Sequence, residues 1–269
     1  MHPLTQEVEM LLENKNCIIY GAGGGIGGGV ARTFAREGAN LFLTGRTRDS
    51  LEAVAEEVRG AGGSAKVAVL DALDGQAVDE HARGVASKAG SVDVSFNLVS
   101  RGDVQGIPLV EMSWEDLARP VTTGLQAHFN TATTAARLMS EQGAGVILSL
   151  TSGSAKGAHP GMGGTGPADA AIETFLRYLA AEAGPQGVRV LPIYTAGVVE
   201  TLTRAKIQEV SSEGPNPQEA VRMIAGMAIL RRAPRLAEVA ETAAFLASDR
   251  ASGMTATTAN VTCGLVPAI

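Results

Sequence analysis

Gly21-Ala22-Gly23-Gly24-Gly25-Ile26-Gly27 directly follows an apolar run, Cys17-Ile18-Ile19-Tyr20, and opens a segment of helical periodicity. Glycines in that strand–turn–helix setting let the backbone approach a diphosphate, whose charge then rests on the positive end of the helix. Alone, a glycine cluster is also a flexible turn; the strand before it and the helix after it favour a dinucleotide site. A second stretch, from Ser152 to Asp169, carries two hydroxyls (Ser152, Thr165), an imidazole (His159) and a carboxylate (Asp169). The imidazole titrates in a range that suits an acid, although Lys156-Gly157-Ala158-His159-Pro160 equally suits a surface loop. A serine beside Gly153 is equally a turn former.

Elements of alternating type must position these groups. Short apolar runs at Cys17–Tyr20, Leu41–Leu43, Val67–Leu70, Val92–Val99, Val146–Leu150, Val188–Ile193 and Ala259–Val261 read as strands. Helical periodicity with few breakers marks Ile26–Glu37, Ser50–Arg59, Trp114–Met139, Ala168–Ala183 and Leu236–Ala247. The alternation implies βαβ units, hence an α/β fold: one doubly wound, parallel, seven-stranded sheet covered on both faces, as a single domain over residues 15–269. Residues 1–14 read as an N-terminal extension with one amphipathic turn. Pro120 falls in the first two turns of its helix, where a proline costs less than in the middle. Gly28-Gly29 add glycine to the first helix, at about 1 kcal/mol each relative to alanine. From 200 to 234 the rhythm breaks at Glu213-Gly214-Pro215-Asn216-Pro217, as expected of a mobile substrate lid.

A chain of 269 residues with 45% hydrophobic content can bury one sizeable core. Its net charge of −6 provides no basic face for a polyanion, so nucleic acid is excluded as a partner. No apolar run approaches the ~20 residues of a membrane span, and the N-terminus carries acids rather than a basic leader, so no membrane and a cytoplasmic location are expected. Cys17 and Cys263 supply neither a disulfide framework nor a metal cluster; no metal is expected.

From Cys17 to Gly264 the chain resembles the short-chain dehydrogenase/reductase family. Gly21, Gly25 and Gly27 match its Gly-x-x-x-Gly-x-Gly spacing, Asn97-Leu98-Val99-Ser100 stands for Asn-Asn-Ala-Gly, and Ala196-Gly197-Val198-Val199-Glu200-Thr201 keeps much of Pro-Gly-x-Ile/Val-x-Thr. The resemblance implies a nicotinamide dinucleotide held by Gly21, Gly25, Ile26 and Gly27, with Asp71 at the adenine amino group and Asn97 near the adenosine ribose. Val199 would serve the carboxamide through its backbone, and Thr201 the pyrophosphate. Gly45 stands where NAD-preferring relatives have a carboxylate, and Arg46 follows, as in relatives that hold a 2′-phosphate. NADP(H) is therefore favoured over NAD(H), a solvated arginine being the plain alternative; Asp71 with Asp74 also reads as a turn cap.

The same resemblance implies a Ser followed, thirteen positions on, by Tyr-x-x-x-Lys. Here Ser152 is followed by Thr165 and Asp169, and none of Tyr20, Tyr178 and Tyr194 has Lys four positions later. A family Asn that anchors a relay water reads as Val121. An aliphatic hydroxyl does not replace a tuned phenol. The reading is an atypical NADP(H)-dependent oxidoreductase for a small or acyl-linked carbonyl or hydroxyl compound. Ser152, His159, Thr165 and Asp169 are its catalytic candidates, and Asp169 is expected to accept from the nicotinamide ribose. The alternatives are non-redox chemistry on the same scaffold, such as cyclisation or elimination, and a catalytically inactive subunit. Helices 114–139 and 168–183 imply a homodimer or homotetramer, with Ala132, Ala135 and Ala136 permitting close approach and the tail from Leu265 to Ile269 completing a tetramer.

Overall fold

In the computed structural model, which describes residues 10–157 and 159–267, the apolar runs become β1 (Asn16–Tyr20), β2 (Asn40–Gly45), β3 (Ser64–Val69), β4 (Val94–Asn97), β5 (Gly145–Ser152), β6 (Val188–Thr195) and β7 (Ala259–Val261). All pair in parallel, in the order β3-β2-β1-β4-β5-β6-β7. The helices are α1 (Gly25–Arg36), α2 (Arg48–Gly60), α3 (Gly75–Ala89), α4 (Trp114–Gln142), α5 (Thr165–Ala183), α6 (Arg204–Val210), α7 (Pro217–Met227) and α8 (Leu236–Ala247). One core layer joins Ile19, Leu43 and Leu148 of the sheet to Phe34 of α1, Val54 of α2 and Ala243 of α8. The other joins Ile18, Ile147 and Val190 to Val78 of α3, Ala135 of α4 and Ile172 of α5. Successive strand residues therefore feed opposite layers, and the expected doubly wound single-domain fold is the one observed.

Strand order reverses between β1 and β4, which opens a crevice at the carboxyl ends of the strands. Its floor depends on absent side chains. Gly21 has φ of +79°, and a Cβ there would lie 2.7 Å from the Leu98 carbonyl oxygen; one on Gly27 would lie 2.3 Å from the Gly21 carbonyl. The next two glycines, whatever they cost in helix propensity, have a packing role. A Cβ at Gly29 would meet the Leu236 side chain at 2.6 Å, and one at Gly28 the Val54 side chain at 3.2 Å, so these positions let α8 and α2 pack close against α1.

Three elements escape the periodicity reading. α3 starts on Asp74, whose side chain accepts from the Gln76 and Ala77 N–H groups. The segment 200–234 contains α6 and α7, parted at the anticipated Gly-Pro break; Asn216 and Glu219 form a reciprocal cap with Pro217 in the first turn of α7. α4 runs unbroken through Pro120, capped by Ser113 and by Gly143 at φ +75°. Of the N-terminal extension, residues 1–9 lie outside the described residues. Leu12 is fully buried and its N–H donates to Glu37 O at 2.9 Å, which joins residues 10–14 to the body.

Two glycine substitutions separate helix propensity from packing. Gly84→Ala in α3, where a Cβ meets nothing within 4 Å, is expected to stabilise by about 0.5–1 kcal/mol. Gly29→Ala gains the same propensity against an overpacking cost of about 1–3 kcal/mol and is expected to destabilise. Denaturant titration checks the opposite signs.

Candidate functional site

A cleft of about 730 Å³ lies over the carboxyl ends of the central strands. At one end it is bordered by the glycine turn, Arg46 and Asp71; at the other by Arg101, Asp103 and Ser152; Lys206 and Glu209 of α6 line it from the lid segment. α1 has Gly24 as its N-cap, no side-chain cap and no acidic residue in its first turn. The first-turn N–H groups of Gly25, Ile26 and Gly27 therefore border the cleft without a capping side chain, a cradle that suits a diphosphate. Arg46 is exposed at the end of β2 and lines the cleft.

The remaining nucleotide candidates divide. Thr201 lines the cleft and places its methyl 3.0 Å from where a Gly25 Cβ would be, directly over the helix start. Asp71 also lines it, while its Oδ1 accepts from the Leu73 N–H at 3.0 Å in the turn before α3. Asn97 is buried and acts as a brace: its Nδ2 donates to Thr131 of α4 at 2.9 Å and its Oδ1 accepts from the Val99 N–H at 3.0 Å. The Val199 N–H donates to Pro234 O at 3.0 Å and is already engaged.

The catalytic candidates meet at the far end, around a residue the sequence reading passed over. Arg101, on the loop after β4, donates through Nη1 to Asp169 Oδ1, while its Nη2 lies 3.6 Å from Asp103 Oδ2. Ser152, at the end of β5, donates through Oγ to Asp169 Oδ2 at 2.5 Å and accepts from the Ser154 N–H. Thr165 opens α5 with its hydroxyl donating to Asp103 at 3.2 Å and accepting from Gln105 at 3.4 Å. Buried with no place on the cleft surface, Thr165 braces the loop that carries Arg101.

Asp169, one turn into α5, has a side chain with 0% exposure, and that of Arg101 has 13%. Each Asp169 oxygen has a protein partner and the side chain is fully buried, so it does not sit solvated at the helix start. Burial pushes its carboxyl above the usual range, against the opposing pull of the Arg101 charge and the Ser152 hydroxyl. Ser152, which lines the cleft, is thus the member of the pair that a ligand can touch.

His159 lies elsewhere. It is exposed on the loop between β5 and α5 and lines a separate cavity with Leu109, Val110 and Met162. On α4, one turn beyond Val121, Gly124 meets the cluster: a Cβ there would lie 2.7 Å from Arg101 Cδ. The signal for Arg101 was electrostatic. A carboxylate on the inward face of a helix needs a buried cation or hydrogen-bond donor, and Arg101 is the basic residue on the loop that tops the adjacent strand. Among the described residues, no group of three or more His, Cys, Asp or Glu is placed to hold a metal, and no helix is long and apolar enough to cross a membrane.

A family model described as Enoyl-(Acyl carrier protein) reductase matches residues 21–266. The 3-oxoacyl-[acyl-carrier-protein] reductase FabG of Thermotoga maritima is 28% identical over 257 residues, covering 96% of this chain and 100% of that protein. Two solved structures align along nearly their whole length. An NAD+-bound xylitol dehydrogenase gives a TM-score of 0.84 at 25% identity, covering 94% of this chain and 99% of that one. A 7α-hydroxysteroid dehydrogenase complexed with NADH and 7-oxo glycochenodeoxycholic acid gives 0.79 at 26%, covering 95% and 96%. Matched from its glycine turn to its last strand, the chain belongs to the short-chain dehydrogenase/reductase family.

Proposed function

We propose that the protein is an atypical oxidoreductase, dependent on NADP(H) in preference to NAD(H), that acts on a small or acyl-linked carbonyl or hydroxyl compound. Its proton transfer runs through Ser152 and Asp169 where the family uses tyrosine and lysine. The observation that carries this reading is the 2.5 Å contact between a cleft-lining hydroxyl and a fully buried carboxylate. A nicotinamide nucleotide, when bound, supplies the hydride chemistry. The chain's own residues manage the proton. In the oxidative direction Ser152 Oγ accepts the substrate hydroxyl proton while passing its own to Asp169 Oδ2; in the reductive direction both steps reverse. Arg101 keeps the carboxylate oriented and moderates its basicity. Asp169 itself has no exposed surface, so Ser152 and Arg101 are the groups that reach its oxygens.

The glycine cradle is the common feature of the oxidoreductase and non-redox readings; the inactive-subunit reading leaves the Ser152–Asp169 contact without a use. The face of α4 and α5 on which a second copy would dock is not made of the anticipated alanines, since Ala132, Ala135 and Ala136 are buried in the core. Its exposed residues include Phe129 (54% exposed), stacked at a tilt on Phe175, and Tyr178 (68%). We assign a homodimer or homotetramer to this aromatic surface; residues 268–269 of the tail invoked for a tetramer lie outside the described residues.

Three outcomes test the reading. Arg46→Ala should weaken NADPH binding by about 1.5–3 kcal/mol, the worth of a hydrogen bond to a charged group, roughly 10- to 150-fold in Kd, while sparing NADH; titration calorimetry giving equal losses for both would refute the 2′-phosphate role. Alcohol oxidation needs ionised Asp169, so kcat/KM should rise with pH through an apparent pKa above the ordinary ~3.9 of aspartate, and carbonyl reduction should fall over the same range. Asp169→Asn should abolish both limbs and lower the rate by about 10²- to 10⁴-fold; a pH profile identical to that of the unmodified protein would remove Asp169 from the mechanism. Light scattering should give a dimer or tetramer that Phe129→Asp dissociates, and a dilution-independent monomer would contradict the assignment.

A further inference from the structure

Among the described residues, five buried side-chain atoms lack a hydrogen-bond partner: His81 Nε2, His128 Nε2, Ser149 Oγ, Thr151 Oγ1 and Glu173 Oε1. Four of them belong to one layer. Ser149 pairs in register with Asn97 of β4 and Pro192 of β6, and Thr151 with Tyr194 of β6. Asn97 donates to Thr131 of α4, and Tyr194 Oη donates to Glu173 Oε2 of α5 at 2.5 Å. Side chains in register share a sheet face, so Ser149 and Thr151 look into the space between the sheet and these two helices. His128 of α4 borders it too. Its Nδ1 donates to the Gly124 carbonyl at 2.7 Å, and burial lowers its pKa to about 4, so Nε2 is a neutral acceptor.

A buried polar atom left unmatched costs about 1–3 kcal/mol, and native proteins carry few of them. Four in a single layer make up a lane of unmet donors and acceptors between the sheet and α4 and α5, and Thr151 in it also lines the cleft. Its upper end is Asp169, one helical turn from Glu173 on the same face of α5. Its lower end is a cavity of about 100 Å³ lined by Glu173, Tyr194, Lys156, Arg177 and Thr258, with Lys156 exposed at its edge. A cavity of that size has room for water.

We propose that this lane is the route by which Asp169 exchanges protons with solvent, with Glu173 as the positioning residue that relays them at its mouth. The proposal rests on the reading of Asp169 as the proton acceptor of the reaction. A proton received from Ser152 leaves the Asp169 carboxyl for a lane hydroxyl or water, which releases its own proton onward. Glu173 takes one proton from the lane and yields one to the cavity, so one proton leaves for each that enters and no group is oxidised or reduced. Arg101, with Asp103 behind it, faces Asp169 from the β4 loop; Glu173 is faced by Tyr194 from β6, by Asp169 and Arg177 from its own helix and by Lys156 from the β5–α5 loop. Burial favours the protonated form of Glu173, while Lys156 and Arg177 favour its ionised form, the balance a relay requires. The competing exit runs through Ser152 Oγ to the cleft, which Ser152 and Thr151 both line; exchange that is insensitive to Glu173 would assign it.

The test is hydrogen–deuterium exchange of the Asp169 carboxyl, followed by infrared spectroscopy after mixing into D2O at a pH where the group is protonated, its band identified by its loss in Asp169→Asn. Glu173→Gln should slow the exchange at least tenfold, and Glu173→Asp should recover part of the rate. Thr151→Val, which leaves both carboxyl groups in place, should slow it as well, and it carries the test if the Gln variant does not fold. Exchange at the unmodified rate in every folded variant overturns the lane. The readout needs no substrate: a chain with lane-dependent exchange but no turnover with any nicotinamide nucleotide would disprove the oxidoreductase reading alone.

Discussion

A guanidinium held between two carboxylates organises the ligand-facing end of this protein. Arg101 reaches from the loop after β4 to Asp169 inside α5 and approaches Asp103 on its own loop. Removing one partner from a buried pair typically costs about 3–5 kcal/mol because the remaining charge has nowhere to go. The loop, the helix start and the end of β5 are therefore fixed relative to one another by charge. Thr165 and Gln105 complete the brace, and the Gln105 N–H carries it to the lid segment by donating to Val210 O at 2.7 Å.

The nucleotide end is built on a different principle. Backbone approaches backbone where side chains are missing, with Gly21 against the Leu98 carbonyl and Gly27 against that of Gly21. The first turn of α1 stays uncapped at the cleft. No ion pair is needed there, because the helix end itself supplies the field. A backbone cradle and a buried charge cluster thus stand at opposite ends of one crevice and are built by independent means, so that the second can vary while the first is kept.

This division explains what the sequence disclosed. The sheet was legible because buried parallel strands read as apolar runs between helices, and α8 was read from Leu236 to Ala247 as it is observed. The glycine turn was legible because its chemistry is local: strand, turn and helix start are consecutive. α6 and α7 are too short for periodicity to register, and their caps fix them instead. The Arg101–Asp169 pair spans 68 residues and depends on which loop tops which strand, so no spacing rule exposes it. His159 and Thr165 were picked out for their chemical type, yet one lies on the surface and the other is turned into a brace. Gly124, one turn beyond Val121, drew no notice in the sequence because a glycine's role there is to leave room for Arg101, which only the packing reveals.

Gly124 has a further consequence, for descent rather than for chemistry. Arg101 occupies the volume that a side chain at 124 would fill, with Cδ at 2.7 Å and Cγ at 2.9 Å from the missing Cβ. A side chain there would press on the guanidinium that partners Asp169, and a lysine at 169 would set like charges together in a buried space. A return to the family's lysine at 169 would therefore pass through a weakened protein unless Arg101 changed with it. Mutual dependence of this kind acts as a ratchet: Gly124, Arg101 and Asp169 hold one another in place through sterics and charge, so that no one of the three is free to change alone.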